Sequence, residues 1–204
     1  MGMEVKRIAL PSIQRDKQLP VVLSQPEIRV LLKTPRLLRH RMILAVMYDC
    51  GLRISEVCKI KIADIDLDRK MLHIRKSKGR KDRYVPISDM TIRGIRKYLE
   101  AEKPQIWLFN GQKTGAAYST RGIQFVIRQA RKKSGIQKAF TAHTLRHSYA
   151  THLLEMGTHI VTLQRLLGHE HIQTTMIYLQ TAQLDRQAGF APLDRIYDQA
   201  DKKA

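Results

Sequence analysis

Apolar positions recur at helical spacing along most of the chain and alternate only between residues 61 and 87. Ser24, with Pro26 and Glu27 after it, has the pattern of a capped helix start, and the helix runs to about Lys33 before Pro35 interrupts it. A second helical run, RLLRHRMILAVMYDC, closes at Gly51, and Ser55 is placed to cap the short helix SEVCKI. The runs IADIDL, MLHI and RYVPI then alternate, separated by the turn signals DLDRK and KSKGRKD, which predicts a three-stranded antiparallel sheet. Helical spacing resumes over 91–101 and 119–133, with a loop at 103–118, and three helices are expected at about 143–156, 160–167 and 172–181. The fold class is therefore mainly α with a small three-stranded antiparallel β-sheet. Residues 1–22, with Pro11 and Pro20 and no clean period, read as a basic linker or arm. Residues 23–181 read as one domain and 182–204 as a tail, in which Leu193, Ile196 and Tyr197 share one face of a short helix.

Charge narrows the class of partner. Lys and Arg number 37 against 18 Asp and Glu, a net charge of +19, which attracts polyanions and makes nucleic acid the default partner. A hydrophobic content of 43% is enough for a core. No run approaches the ~20 apolar residues that span a bilayer, and the opening MGMEVKRIALPS lacks the apolar stretch of a signal peptide. Cys50 and Cys58 fall among apolar neighbours and are expected to be buried free thiols, which fits a reducing, cytoplasmic setting.

Chemistry-bearing residues concentrate in HTLRHSYATHLLEMGTHIVTLQRLLGHEHIQTTMIYLQ. His143, Arg146, His169 and Tyr178 there combine two imidazoles, a guanidinium and a phenol. An arginine fork holds phosphate oxygens, imidazoles move protons near neutral pH, and a phenol is a covalent nucleophile. His143 and His147 also stand at i and i+4, as zinc peptidase ligands do. The segment reads HTLRH, however, with no Glu and with a cationic Arg in its place, so no metal is expected. The remaining histidines, His147, His152, His159 and His171, read as structural or solvent-facing. With no G-x-x-x-x-G-K-[ST] loop and no carboxylate cluster, neither ATP nor a two-metal centre is expected.

HTLRHSYATHLLE, then LLGH, then a Tyr resembles the tyrosine recombinases, the phage-integrase and Xer-like class. Upstream, YDCGLRISEVCKI resembles the segment bearing that family's first catalytic arginine, which falls on Arg53. HIRKSKGRKDRYVPI resembles its β-hairpin, whose catalytic lysine falls on Lys78, in an S-K-G turn where the family often shows G-K-G. The pieces run in the family's order from about Leu19 to about Leu179.

The resemblance implies the tyrosine-recombinase catalytic-domain fold and cofactor-free DNA strand cleavage and rejoining through a 3′-phosphotyrosyl link. It implies Tyr178 as nucleophile, Arg53 and Arg146 as the phosphate clamp, and Lys78 as general acid for the leaving 5′-oxygen. His143 would be the proton acceptor or a phosphate donor, His169 a donor to a non-bridging oxygen, and Glu56 a partner that orients an arginine or histidine. Double-stranded DNA is the expected partner. Self-association to a tetrameric synapse is expected on DNA, from monomers when free, with the tail exchanged between protomers. The family's members usually carry a helical DNA-clamping domain before the catalytic one, and residues 1–22 look like the linker that would follow it. A domain without that clamp is expected to bind DNA modestly and in a salt-sensitive way. A type IB topoisomerase, with nearly the same residues, and a catalytically silent DNA-binding protein are the competing readings.

Overall fold

In the computed structural model, residues 19–75, 82–113 and 115–182 are described. Helix α1, Gln25–Lys33, starts as its sequence predicts. The Ser24 hydroxyl accepts from the Glu27 amide at 3.3 Å, and the Glu27 carboxylate accepts from the Ser24 amide at 2.7 Å. Helix α2, Leu38–Asp49, buries Met42, Ile43, Leu44, Val46 and Met47, and the chain leaves it through Gly51 at φ +58°. Helix α3 is Ile54–Val57. It is capped at Arg53 and not, as expected, at Ser55, because the Glu56 carboxylate reaches back to accept from the Arg53 amide at 2.9 Å.

The expected three-stranded sheet is present, in the order β1 (Ile65–Asp66), β2 (Met71–Ile74), β3 (Arg83–Pro86), antiparallel throughout. Leu72, Ile74 and Val85 turn one face into the core, while His73 and Tyr84 stack on the other at 4.6 Å. The first strand is shorter than the alternation IADIDL suggests, since Ile62–Asp64 is a 3₁₀ turn. The buried Asp64 carboxylate accepts from the Lys61 amide and from Arg75, which favours the turn over extension.

Helix α4, Asp89–Glu102, begins two residues earlier than its periodicity indicates, capped by the Ser88 hydroxyl, and lays Ile92, Ile95 and Tyr98 into the core. The 103–118 segment joins the fold through the bridge of Lys61 with Trp107, and a second bridge, Asn110 with Ala117, closes it on itself. Helix α5 is Thr120–Ser134, α6 Ala142–Glu155, α7 Ile160–Leu167 and α8 Gln173–Met176, continued by a 3₁₀ turn, Ile177–Gln180.

The main core joins α1, α2, α4, α5 and the sheet. A second cluster, Tyr149, Ala150, Leu154, Leu163, Leu167 and Tyr178, packs α6, α7 and the last 3₁₀ turn together. Helix α6 lies between the two and is buried on nearly every side. The Leu23 amide donates to the Ser148 hydroxyl on α6 at 2.9 Å, tying the start of the domain to its centre. Cys50 and Cys58 are buried free thiols, as expected. Of the expected arm only residues 19–22 are described. The tail from residue 183 onward, with Leu193, Ile196 and Tyr197, and the turn carrying Lys78 lie outside the described residues.

Candidate active site

Helix α6 supplies three neighbouring side chains at its N-terminal end. His143 in the first turn is exposed, Arg146 is buried and His147 is half-buried. Arg146 donates from Nη1 to the Gly51 carbonyl at 2.7 Å and from Nη2 to the Leu167 carbonyl at 2.6 Å. Burial, with Arg53 close by, lowers its pKa to about 10, against the opposing pull of Glu56, so it remains a cation at neutral pH. Gly51 is required where it is. Its φ of +58° suits glycine, and a Cβ there would lie 2.2 Å from the Tyr149 ring.

The last four carbonyls of α7 are all accounted for, and this builds much of the site. Gln164 accepts from the His169 amide and Arg165 from the Gly168 amide, both at 3.1 Å, in the left-handed turn that Gly168 makes at φ +63°. Leu166 accepts from Arg83 Nε at 2.8 Å, and Leu167 accepts from Arg146 and, at 3.4 Å, from Arg53. Three guanidinium groups thus gather at the negative end of this helix.

Glu56 holds the same three groups from the other side. Arg83 meets its two oxygens with both Nη atoms at 2.9 Å, Arg53 lies at 3.2 Å and Arg146 at 3.8 Å. Burial raises the Glu56 pKa, but the hydrogen bonds and charge of Arg83, the Arg53 amide and the Arg146 charge outweigh it, and the net shift is downward. Three cations around one carboxylate leave an excess of positive charge at a site sheltered from water. Such a site suits a phosphate.

Tyr178, on the last 3₁₀ turn, is 2% exposed. Its hydroxyl is hydrogen-bonded to Nδ1 of His147 at 3.1 Å. The His169 ring stacks on the phenol at 6.3 Å, and its Nδ1 is hydrogen-bonded to the buried Thr175 hydroxyl at 2.9 Å. Burial raises the phenol pKa, while Arg146 and Arg53 pull against the shift. Burial outweighs the neighbouring cations, and the net shift is upward. His147 is pushed down, by burial first and then by the charges of His143 and Arg146.

The structure thus brings Arg53, Arg146, His169 and Tyr178 together, with His143 at the rim, its ring 6.4 Å from that of His147. Lys78 is outside the described residues. Glu56 stands among arginines, the kind of partner expected for it. Two residues of the site escaped the sequence reading. Arg83 sits on the same side of β3 as the buried Val85, and a cation on a core-facing position was the available signal. His147, one turn after His143, reads from the sequence as structural or solvent-facing once a metal site is set aside. Among the described residues, no group of three or more His, Cys, Asp or Glu side chains is placed to hold a metal ion.

The family model described as the phage integrase family matches residues 21–184. The chain is 39% identical over 180 residues to the tyrosine recombinase XerA of Thermococcus kodakarensis, covering 86% of this chain and 62% of that protein. The crystal structure of XerA recombinase superposes with a TM-score of 0.74 at 33% identity, over 91% of this chain and 66% of the other. XerH site-specific recombinase, in a pre-cleavage complex with its difH substrate, gives 0.70 at 25% identity, over 79% and 50%. The chain spans 56–64% of the length of three curated relatives it matches.

Proposed function

The chain belongs to the phage integrase family, and on that premise we propose that it cuts and rejoins double-stranded DNA at specific sites through a 3′-phosphotyrosyl intermediate. The observation that carries this reading is that Arg53 and Arg146, which meet at the carbonyl of Leu167 and the carboxylate of Glu56, stand close enough to Tyr178 for both charges to act on its phenol.

In this mechanism the scissile phosphate lies against the two arginines, whose forks hold the non-bridging oxygens as charge gathers there. His143 is exposed at the positive end of α6 and donates to the same phosphate. His169, beside the phenol, donates to a non-bridging oxygen. Tyr178 attacks phosphorus, and Lys78 protonates the departing 5′-oxygen. The phosphotyrosyl bond conserves the energy of the phosphodiester, so rejoining requires no cofactor. Residues 23–181 form the catalytic unit, with 1–22 as an arm over DNA. The tail, 182–204, is exchanged between protomers in a tetrameric synapse assembled on DNA from free monomers. The site of action is the cytoplasmic nucleoid.

A library of nicked suicide duplexes with randomised centres tests the reading. The wild-type chain should give a DNA-shifted band on a denaturing gel, and Tyr178→Phe should not. A band that persists in Tyr178→Phe places the nucleophile elsewhere.

A further inference from the structure

Before Tyr178 can attack, its phenol must lose a proton, and burial makes that loss harder than in water. A proton acceptor has to lie within hydrogen-bond reach of the hydroxyl. Nδ1 of His147 does, at 3.1 Å, on a half-buried ring tilted against the phenol. His143 lies one helical turn nearer the surface, exposed, with its ring 6.4 Å from that of His147. The two imidazoles on this face therefore divide by depth: the outer one meets solvent, the inner one meets the nucleophile.

The surroundings of His147 suit acceptance. The charged and titratable groups that face it are His143 and Arg146 on its own helix and Tyr178 from the 3₁₀ turn, which is itself covered by His169. Burial first, then His143 and Arg146 beside it, disfavour an imidazolium in the resting state, which favours a ring with a free lone pair. Once a phosphate with two negative charges in its transition state reaches Arg53 and Arg146, the cationic ring is favoured instead.

We propose that His147 is the proton acceptor for Tyr178 in strand cleavage, a role that rests on the strand-transfer reading above. The Oη–H bond breaks and the proton passes to Nδ1, with Nε2 already carrying its own. The Oη–P bond forms and the P–O5′ bond breaks. The 5′-oxygen keeps the bonding pair and takes its proton from Lys78. In rejoining, the 5′-hydroxyl returns its proton to the neutral Lys78 amine as the P–O5′ bond forms, the P–Oη bond breaks with its pair on the phenolate oxygen, and His147 returns its proton to that oxygen.

The test combines a DNA-free measurement with a kinetic one, both on the full chain. Nitrogen NMR of the histidine rings should show His147 as the Nε2–H tautomer, with a Nδ1 resonance that moves in Tyr178→Phe. A Nδ1–H tautomer would make this ring a donor and overturn the proposal. Asparagine places an oxygen near the position of Nδ1 but takes no proton. His147→Asn should therefore keep the contact yet slow covalent trapping of the nicked duplexes on the order of 10²-fold at neutral pH. Its rate should keep climbing with pH where that of the wild type levels off, and His143→Asn should retain the wild-type profile shape. With a 5′-bridging sulfur as leaving atom, which needs no proton, Lys78→Ala should recover while His147→Asn stays slow. Trapping by His147→Asn at or above the wild-type rate would mean that His147 only sheathes the phenol. A wild-type chain that traps no duplex while showing the expected tautomer would instead remove the strand-transfer reading, and the proposal with it.

Discussion

Arg83 and Glu56 meet through both ends of the guanidinium fork, Nη1 on Oε1 and Nη2 on Oε2, each at 2.9 Å. The pair joins the sheet to α3. Through the bond from Arg83 Nε to the Leu166 carbonyl it also joins the sheet to the end of α7. The contact thereby fixes the start of β3 against α3 and the end of α7.

Removing the carboxylate should therefore destabilise the fold. Glu56→Gln leaves three guanidinium groups without their shared partner, and breaking a buried ion pair from one side costs roughly 3–5 kcal/mol. Because the Glu56 pKa is depressed in the folded state, its contribution is fully present above the ordinary carboxylate value of 4.5. It is lost as pH falls through the lower, folded value. Thermal melts across pH 3–7 should show a lower Tm for Glu56→Gln at neutral pH and a flatter acid limb. Parallel curves for the two proteins would count against Glu56 as the source.

Two glycines guard the same network with unequal force. A Cβ at Gly51 would lie 2.2 Å from the Tyr149 ring, whereas one at Gly168 would lie 3.1 Å from the guanidinium of Arg83. Both residues carry positive φ, which costs alanine roughly 1–2 kcal/mol. Overpacking against a buried ring adds about 1–3 kcal/mol for Gly51→Ala. Denaturant unfolding should rank Gly51→Ala below Gly168→Ala in stability. Gly168→Ala should lose trapping activity out of proportion to its stability, since it displaces Arg83. The reverse order of stability would show that the Tyr149 ring yields easily.

What was legible in the chain and what was not follows from the range of the forces involved. Local chemistry announced itself. The Ser24–Glu27 box, the Gly51 and Gly135 helix ends and the turn signal DLDRK before β2 all act within a few residues. Where two local options competed, the sequence reading erred. Ser55 looked like the cap, but Glu56 could reach the Arg53 amide. The run 172–181 looked like one helix, but it breaks into α8 and a 3₁₀ turn that drives Tyr178 into the second cluster. Arg83 is the instructive omission. Its partners stand 27 and 83 positions away, and the one local sign, a cation in register with the buried Val85, names neither of them. His147 was hidden for a related reason, because its partner lies 31 residues on and only the packing of the last turn brings them together.

The thiols should be inert while the fold is intact. Burial pushes Cys58 up to about 11 and raises Cys50 well above its usual range, so almost no thiolate forms at pH 8. Ellman's reagent should label neither cysteine within minutes in buffer and both in guanidinium chloride. Rapid labelling of the native chain would mean that the α2–α3 corner opens readily.

Arginine-to-lysine changes separate anchoring from chemistry. Arg146 spans the carbonyls of Gly51 and Leu167 at 2.7 and 2.6 Å, a reach that a single ammonium cannot reproduce. Arg146→Lys leaves one buried carbonyl unpaired, at about 1–3 kcal/mol. Arg53 is only partly buried and meets Leu167 at the longer distance of 3.4 Å, so Arg53→Lys should keep close to the wild-type Tm. Both changes nonetheless remove a planar fork from the place where phosphate charge would gather. Each should slow covalent trapping on the order of 10²-fold or more. Stability and trapping should therefore divide: both fall in Arg146→Lys, and only trapping falls in Arg53→Lys. Near-normal trapping by Arg146→Lys, once the loss of folded protein is corrected for, would reduce that residue to a strut between α7 and the loop before α3. The phosphate would then rest on Arg53 alone.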